Sequence, residues 1–593
     1  EAATLTNIGA VYSRIEEPQQ ALEYYNQALL IFQEVGYRTG EATTLNNIGF
    51  AYRDGKQTKE AIDNHKRSLE ITLEIRSNLN RENRHKFLQS GSSKASAIAL
   101  TDILIDQNQP DKAYEWINRV ATAELADYTR LVNAKVANPE AQKAIDEWNQ
   151  KNAQLQFLYR QLQEKFSEER SRQMRELEKQ VFKQAEEIAH QFPEAAELFE
   201  TKPEDIAKLR ANIAPDTVVV HPVLLTGVKN VPNSIAIFVL TKDKLTVTKK
   251  PLDSKVFNQL LQDYLTQIED RKNINYPDTS AKLYDILIRP VADQIQAASP
   301  KQLSIITTGK LRYLPFETLR ESPTGKYLLE KYPINYLTRI STTSLSTATP
   351  HFPPLQNILA TVIITSLAIF TWRKFGILPS GGLVIVLGGL AFFFLSGRNA
   401  QVLALGNPLP TQENLAGAEA EARSIGKIFT GSEVYIGNEA TLEVFKNQAP
   451  KFSFLHLGTH GCFQLGGCPK LQMEANTLLF ANQQQFNIAD AALLGLKNTE
   501  LLTLSACQTA KEANANGEEI AGLAYIFERA GAKAVMASLW NADDNTTKEI
   551  MEQFYTNIKK GMSKGKALQQ AKLKHIDRHP FFWSTLVLIG DAQ

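Results

Sequence analysis

Two stretches decide how this chain folds: Phe452-Ser453-Phe454-Leu455-His456-Leu457-Gly458-Thr459-His460-Gly461, and Leu501-Leu502-Thr503-Leu504-Ser505-Ala506-Cys507-Gln508-Thr509-Ala510. Each is a short, nearly all-apolar run that ends on a residue able to do chemistry. Such runs, bounded by glycine and other turn residues, read as strands buried on both faces. Similar runs occur at 217–220, 235–240, 245–248, 303–306, 401–405 and 534–539, and helical stretches at 418–429, 520–530 and 546–560 separate the later ones. The alternation predicts an α/β domain with a mostly parallel sheet. In such sheets chemistry sits beyond the carboxyl ends of the strands, which is where His460 and Cys507 fall. An imidazole that takes the proton of a thiol, or stabilises its thiolate, makes cysteine a nucleophile.

The neighbouring residues of the same types read differently. His456, inside an apolar run, is expected to be a satisfied core histidine. Cys462 and Cys468 are expected to be inert buried thiols, in a loop whose Gly466, Gly467 and Pro469 are turn residues.

Composition narrows the classes. At 593 residues the chain needs about three or four domains. Lys+Arg of 65 against Asp+Glu of 64 leaves +1, which removes the bulk electrostatic case for nucleic acid. Three cysteines cannot frame a protein of this size with disulfides. No Cys/His spacing for zinc and no glycine-rich phosphate loop occurs, so neither metal nor cofactor is expected. The chain opens on Glu1 within a repeat and without a signal peptide, and is read as a fragment.

That repeat sets the front of the chain. Asn7-Ile8-Gly9 with Tyr12 returns as Asn47-Ile48-Gly49 with Tyr52. Ala21, Leu22, Ala28 and Leu29 return as Ala61, Ile62, Ser68 and Leu69. A 40-residue offset held through both halves marks stacked helical hairpins, and the motif resembles tetratricopeptide repeats (residues 1–90). Two units are few for a stable stack, so helices downstream or units upstream must complete it. The resemblance implies a concave surface for a protein partner. Residues 91–214 read as a helical spacer. The segment from Pro139 to about Ala189 reads there as one or two long amphipathic helices, an antiparallel pair being expected, with Arg170, Arg172 and Arg175 on a solvated face.

Further motifs carry a second resemblance. They are 309–317, Leu415-Ala416-Gly417-Ala418-Glu419-Ala420-Glu421, 456–461, 505–509, 531–535 with Ser538-Leu539-Trp540, and His579-Pro580-Phe581-Phe582-Trp583 with Gly590-Asp591. In this order they make residues 215–593 resemble a CHAT domain of the caspase, separase and gingipain group of cysteine peptidases. The interval 507 − 460 = 47 is close to the spacing of about 50 in caspase-type sequences. The resemblance implies His460 as general base, Cys507 as nucleophile and the backbone N–H groups of Gly461 and Cys507 as oxyanion donors. It implies endopeptidase activity by a His-Cys dyad without an acidic third member, regulated through the repeats, in a bacterial stress or defence setting. A catalytically inactive scaffold that binds proteins is the alternative. Relatives that choose a basic P1 residue often carry Asp two residues before the cysteine, where Ser505 stands here. Asp543, Asp544 and Trp540 are the candidates for binding substrate, although the two acids equally suit the cap of the following helix and Trp540 equally suits the core.

One stretch departs from this pattern. Residues 355–372 and 375–397 carry no charge, with only Arg373 and Lys374 between them. Runs of 18 or more apolar residues read as membrane-spanning. A transmembrane hairpin at 355–397 is therefore expected, tethering the peptidase to a membrane. A thiol nucleophile without a disulfide framework favours the cytoplasmic side. A soluble cytoplasmic protein is the alternative.

Overall fold

The computed structural model describes the chain apart from residues 79–91, 166, 200–204, 323, 342–400, 412, 464–465, 506–516 and 541–542. Helices α1 (Ala2–Arg14), α2 (Pro18–Val35), α3 (Arg38–Asp54) and α4 (Thr58–Asn78) form the two expected hairpins. Their close approach depends on glycine. A Cβ on Gly9 would stand 2.7 Å from the Tyr25 ring, and one on Gly49 would stand 2.8 Å from the His65 ring. Positions 25 and 65 are again 40 apart, so each repeat seats a ring on its glycine. Helices α5 (Ser92–Asp106) and α6 (Pro110–Leu131) continue the stack, with Leu69, Leu73, Leu100, Leu104 and Tyr114 in one core. Downstream helices thus supply what two repeats lack. Arg53 and the fully buried Asp102, 2.6 Å apart, tie the second repeat to α5.

Helices α7 (Pro139–Glu164) and α8 (Glu168–Gln191) form the expected pair. Trp148 Nε1 donates to the Val181 carbonyl (3.1 Å), and the Tyr159 hydroxyl donates to Glu178 Oε1 (2.6 Å). The pair is more than a spacer, because it folds back on the repeats. Ser171 Oγ donates to the Val35 carbonyl at 2.7 Å and Arg175 Nη1 to the Glu34 carbonyl at 2.5 Å. Arg175 is therefore engaged, contrary to its reading as part of a solvated face.

The strands are β1 (Thr217–Leu225), β2 (Ser234–Leu240), β3 (Leu245–Pro251), β4 (Gln302–Ile306), β5 (Ile334–Leu337), β6 (Val402–Pro408) and β7 (Glu433–Gly437). They continue as β8 (Phe454–Gly458), β9 (Gly461–Cys462), β10 (Thr477–Phe480), β11 (Gln484–Asn487), β12 (Leu501–Leu504), β13 (Ala534–Ser538) and β14 (Leu586–Gly590). Eleven of them make one sheet in the order β3-β2-β1-β4-β5-β14-β13-β12-β8-β6-β7, and β11-β10-β9 form a small second sheet. In the large sheet β3/β2, β2/β1 and β14/β13 are antiparallel and the other neighbours parallel.

Helices α9 (Ala416–Gly426), α11 (Asp544–Lys559) and α12 (Lys564–Leu573) cover one face, packing Ala422, Ile550, Phe554 and Leu568 on Val402, Ala404 and Met536. Helix α10 (Glu518–Arg529) covers the other, with Leu523 and Phe527 on Leu403, Leu405, Leu457 and Val535. Residues 402 to 405 point alternately to the two faces, as a strand buried on both sides requires. The repeat stack seats on the same sheet, where the Tyr114 hydroxyl meets His221 Nδ1 of β1 at 3.1 Å.

The expectation of a membrane-spanning hairpin does not hold. Among the described residues no helix is long and apolar enough to cross a membrane, and 355–397 lie outside the described residues. The longest described helices, α7 and α8, carry charged residues along their length and bury one stripe only.

Candidate active site

β8 and β12 are direct neighbours, parallel and in register, with Leu457 opposite Leu504. His460 follows Leu457 by three residues and Cys507 follows Leu504 by three. β8 and β12 therefore end side by side at the same edge of the sheet, with His460 in the link that follows β8. Cys507 itself lies outside the described residues.

His460 is buried in the link from β8 to β9. The Leu479 N–H donates to its carbonyl (2.9 Å), and the Thr459 hydroxyl donates to the Leu479 carbonyl, so β10 fixes this link from below. Nε2 of His460 lies 2.9 Å from the Glu413 carbonyl oxygen. A carbonyl only accepts, so that contact places the ring proton on Nε2 and leaves the lone pair of the neutral ring on Nδ1. The sequence shows no acidic third member, and here a backbone oxygen orients the ring. A backbone atom leaves no signature in residue types, which is why the sequence could not reveal it.

The end of β12 is held just as tightly. The Ser505 N–H donates to the Leu457 carbonyl (3.0 Å), and its Oγ donates to Glu421 Oε1 (2.7 Å). The same Glu421 oxygen lies 3.2 Å from His456 Nε2, off the hydrogen-bond line. Glu421 reaches this point because Gly458 lets α9 lie directly on the strand end, where a Cβ would stand 2.8 Å from Ala418 Cβ. A carboxylate from α9 therefore stands against Ser505, at the position where relatives place Asp. The sequence carried a signal for it: Glu421 shares a helical stripe with Ala418, Ala422 and Ile425, and an acid in an apolar stripe is buried with a partner. His456 is a core histidine, as expected, with its ring edge on Tyr555.

The other candidates separate. Asp543 is the N-cap of α11, accepting from Thr546 N (3.0 Å) and Thr546 Oγ1 (2.7 Å). Burial alone would raise its carboxyl pKa, but these hydrogen bonds, with Arg578 and Arg271 nearby, hold it below the ordinary value. Asp544 is exposed against Gly417, and its pKa is raised by partial burial, by Asp543 and by Glu421. Trp540 is buried, and its Nε1 donates to the Phe581 carbonyl at 3.2 Å. Gly461 pairs with Leu478 in the small sheet.

Cys462 and Cys468 correct the reading of two inert thiols: they form a disulfide, with Cα atoms 5.9 Å apart. The turn residues between them bring the ends of the loop together, and Met473 and Leu479 pack around the bridge. Cys507 is then the one cysteine of three outside that pair. Among the described residues no group of His, Cys, Asp and Glu is arranged to hold a metal ion.

Helical hairpins leading into a mostly parallel α/β domain, with a histidine and a cysteine placed after neighbouring strands, define the class. The chain belongs to the CHAT domain family, whose pattern matches residues 277–591, more than half its length, and residues 1–74 match the tetratricopeptide repeat. Tetratricopeptide repeat protein 28 of Mus musculus is 22% identical over 376 residues, and that of Homo sapiens is 22% identical over 350. These alignments cover 56% and 52% of this chain but only 14% and 13% of those proteins. Among solved structures, the Saccharomyces cerevisiae separase–securin complex aligns over 99% of this chain and 47% of its own, at 10% identity and a TM-score of 0.37. The Arg-specific cysteine proteinase gingipain R aligns over 57% and 75%, at 9% identity and a TM-score of 0.29. At such scores nothing about this chain follows from either likeness.

Proposed function

We propose that the chain is a cysteine endopeptidase acting through His460 and Cys507, with the tetratricopeptide repeats binding a protein partner that regulates it. The observation that carries this reading is the register of β8 on β12, which starts both residues three positions beyond a paired Leu457 and Leu504. Nδ1 of His460 takes the thiol proton, and Cys507 Sγ forms a bond to the peptide carbonyl carbon. The N–H groups of Gly461 and Cys507 receive the oxyanion, each such donor being worth roughly 3–4 kcal/mol in the transition state. His460 then returns the proton to the leaving amine, and water, deprotonated by the same nitrogen, cleaves the thioester. Asp543 is committed to capping α11, which leaves Asp544 as the carboxylate for a basic substrate side chain. Glu421 positions the strand end through Ser505 and touches no substrate.

The test is labelling by a thiol-reactive peptide probe combined with cleavage of a peptide library. Labelling at Cys507 that His460→Ala slows, and cleavage that Cys507→Ala abolishes, are expected. Cleavage that survives Cys507→Ala would overturn the assignment, and a labelled chain that cleaves no peptide would favour a binding scaffold.

A further inference from the structure

His460 owes the placing of its ring proton to one carbonyl oxygen, so whatever holds that oxygen also governs the ring. Glu413 lies in the link between β6 and α9, and the Thr411 hydroxyl donates to the same oxygen as His460 Nε2. The link is held at both ends. Where it leaves β6, the Leu409 N–H donates to the Gly437 carbonyl of β7 at 3.2 Å, and the Asn482 N–H donates to the Leu409 carbonyl at 3.1 Å. Where it enters α9, two residues after Glu413, the Leu415 N–H donates to Asn407 Oδ1 at 2.9 Å. Asn407 belongs to β6, so this last bond closes the link on itself.

The chemistry of position 407 is specific. Asn407 is 3% exposed and has a φ of 50°, in the left-handed region where asparagine, aspartate and glycine are the residues that sit readily. Its Nδ2 donates to Glu419 Oε2 on α9 at 3.2 Å. A carboxylate only accepts and a backbone N–H only donates, so the two contacts together fix which way the amide faces. The hydrogen bond from Asn407, with those from Arg423, outweighs partial burial and holds the Glu419 carboxyl below its ordinary pKa, so Glu419 remains an acceptor. Aspartate would bring no donor, and glycine neither donor nor acceptor. Asparagine alone supplies both at this backbone geometry.

We infer that Asn407 is a positioning residue for His460: by clasping Leu415 it holds the Glu413 carbonyl against Nε2 and so keeps the lone pair of the ring on Nδ1. The inference deepens the peptidase reading and rests on it only for the use to which that lone pair is put. With the clasp gone, the end of the link is released and the carbonyl can withdraw. The neutral ring then carries its proton on either nitrogen, and a ring protonated on Nδ1 takes no proton there from a thiol.

Two variants of the whole chain test this. Asn407→Gly suits the positive φ and removes the side chain, so it breaks the clasp without straining the backbone. Asn407→Asp combined with Glu419→Gln exchanges donor and acceptor between the two side chains and keeps both bonds. Long-range proton–nitrogen spectra of nitrogen-labelled histidine, with the His460 signal identified by its loss in His460→Ala, read the ring directly. They should show the proton on Nε2 in the unaltered chain and in the exchanged pair, and lose that preference in Asn407→Gly. Alkylation of Cys507 by iodoacetamide near neutral pH should slow at least about tenfold in Asn407→Gly and return to within about threefold in the exchanged pair. Added to His460→Ala, Asn407→Gly should slow it no further, because the residue acts through the ring. An Nε2 proton kept in Asn407→Gly overturns the inference, as does a slowing that persists on the His460→Ala background. So does alkylation of Asn407→Gly within about twofold of an unaltered rate that itself depends on His460. If His460→Ala leaves the rate of the unaltered chain unchanged, the peptidase reading fails and the spectra alone decide for or against Asn407.

Discussion

Replacing Lys572 by Met should unseat the α/β domain without touching any residue proposed for catalysis. Lys572 Nζ on α12 donates to Glu317 Oε1 at 2.6 Å and to the Leu586 carbonyl of β14 at 2.5 Å. Glu317 Oε2 accepts from the Tyr336 hydroxyl of β5 at 2.5 Å. The Lys572 and Glu317 side chains are 2% and 3% exposed. Burial, and the Glu317 carboxylate beside it, push the Tyr336 phenol well up, so it remains a donor. Four segments thus meet on one ion pair, including the strand that joins the two halves of the sheet. Methionine fills the volume of the lysine but leaves a carboxylate in a dry site with one hydrogen bond, and an unpaired carbonyl. Removing one partner of such a pair costs about 3–5 kcal/mol. At about 2 °C per kcal/mol for a large domain, the melting transition should fall by about 6–10 °C. Glu317→Gln added to Lys572→Met keeps an acceptor for Tyr336 and removes the stranded charge, so the double variant should regain most of the loss. Calorimetric melting of the whole chain reads both. A single variant that melts with the unaltered protein, or a double variant below the single, would refute the reasoning.

Three further outcomes follow from the same kind of argument. Glu421→Ala should lower stability by about 1–3 kcal/mol, because it leaves the buried Ser505 hydroxyl without its acceptor, while Glu421→Gln, which keeps an acceptor oxygen, should cost under half as much; chemical denaturation compares them. Burial, aided by Arg53 and by Arg312 respectively, pushes the pKa values of His65 and His221 down to about 3, so the folded chain keeps both neutral where the unfolded chain takes a proton near 6.5. The unfolded state then binds more protons between about 3 and 6.5, and stability present above that window is lost as pH falls, by about 2 kcal/mol per histidine at pH 5. His65→Phe should flatten its share of the loss between pH 7 and 5 in urea titrations, and an unchanged slope would count against it. Gly49→Ala drives a methyl into the His65 ring 2.8 Å away, and should cost about 1–3 kcal/mol, seen as earlier loss of helical signal on heating.

The sequence made two things readable because each has a period. The 40-residue offset located the glycine and ring positions of the repeats, and the short apolar runs located the inner strands. Strand order has no such period. Nothing in 586–590 announces that β14 lies between β5 and β13, since that follows from how distant segments share one core. Local contacts hide similarly: the Glu413 carbonyl beside His460 belongs to no residue type, and six residues separate two cysteines whether or not they bond. The expected helix at 546–560 begins at Asp544 in the structure, because Asp543 caps it by accepting from the Thr546 N–H, a contact that residue types alone do not distinguish from a pocket carboxylate. Glu421 was legible, as an acid on an apolar stripe, and its partner was not.

The Cys462–Cys468 bridge has a practical side. Bench buffers for thiol enzymes carry dithiothreitol or a phosphine to protect the nucleophile. Here the same reagent would also cleave a covalent ring that closes two residues after His460, through the half-buried Cys468 sulfur. A preparation kept fully active by one criterion could be unclipped by another, so turnover compared with and without reductant would report on two sulfur chemistries at once.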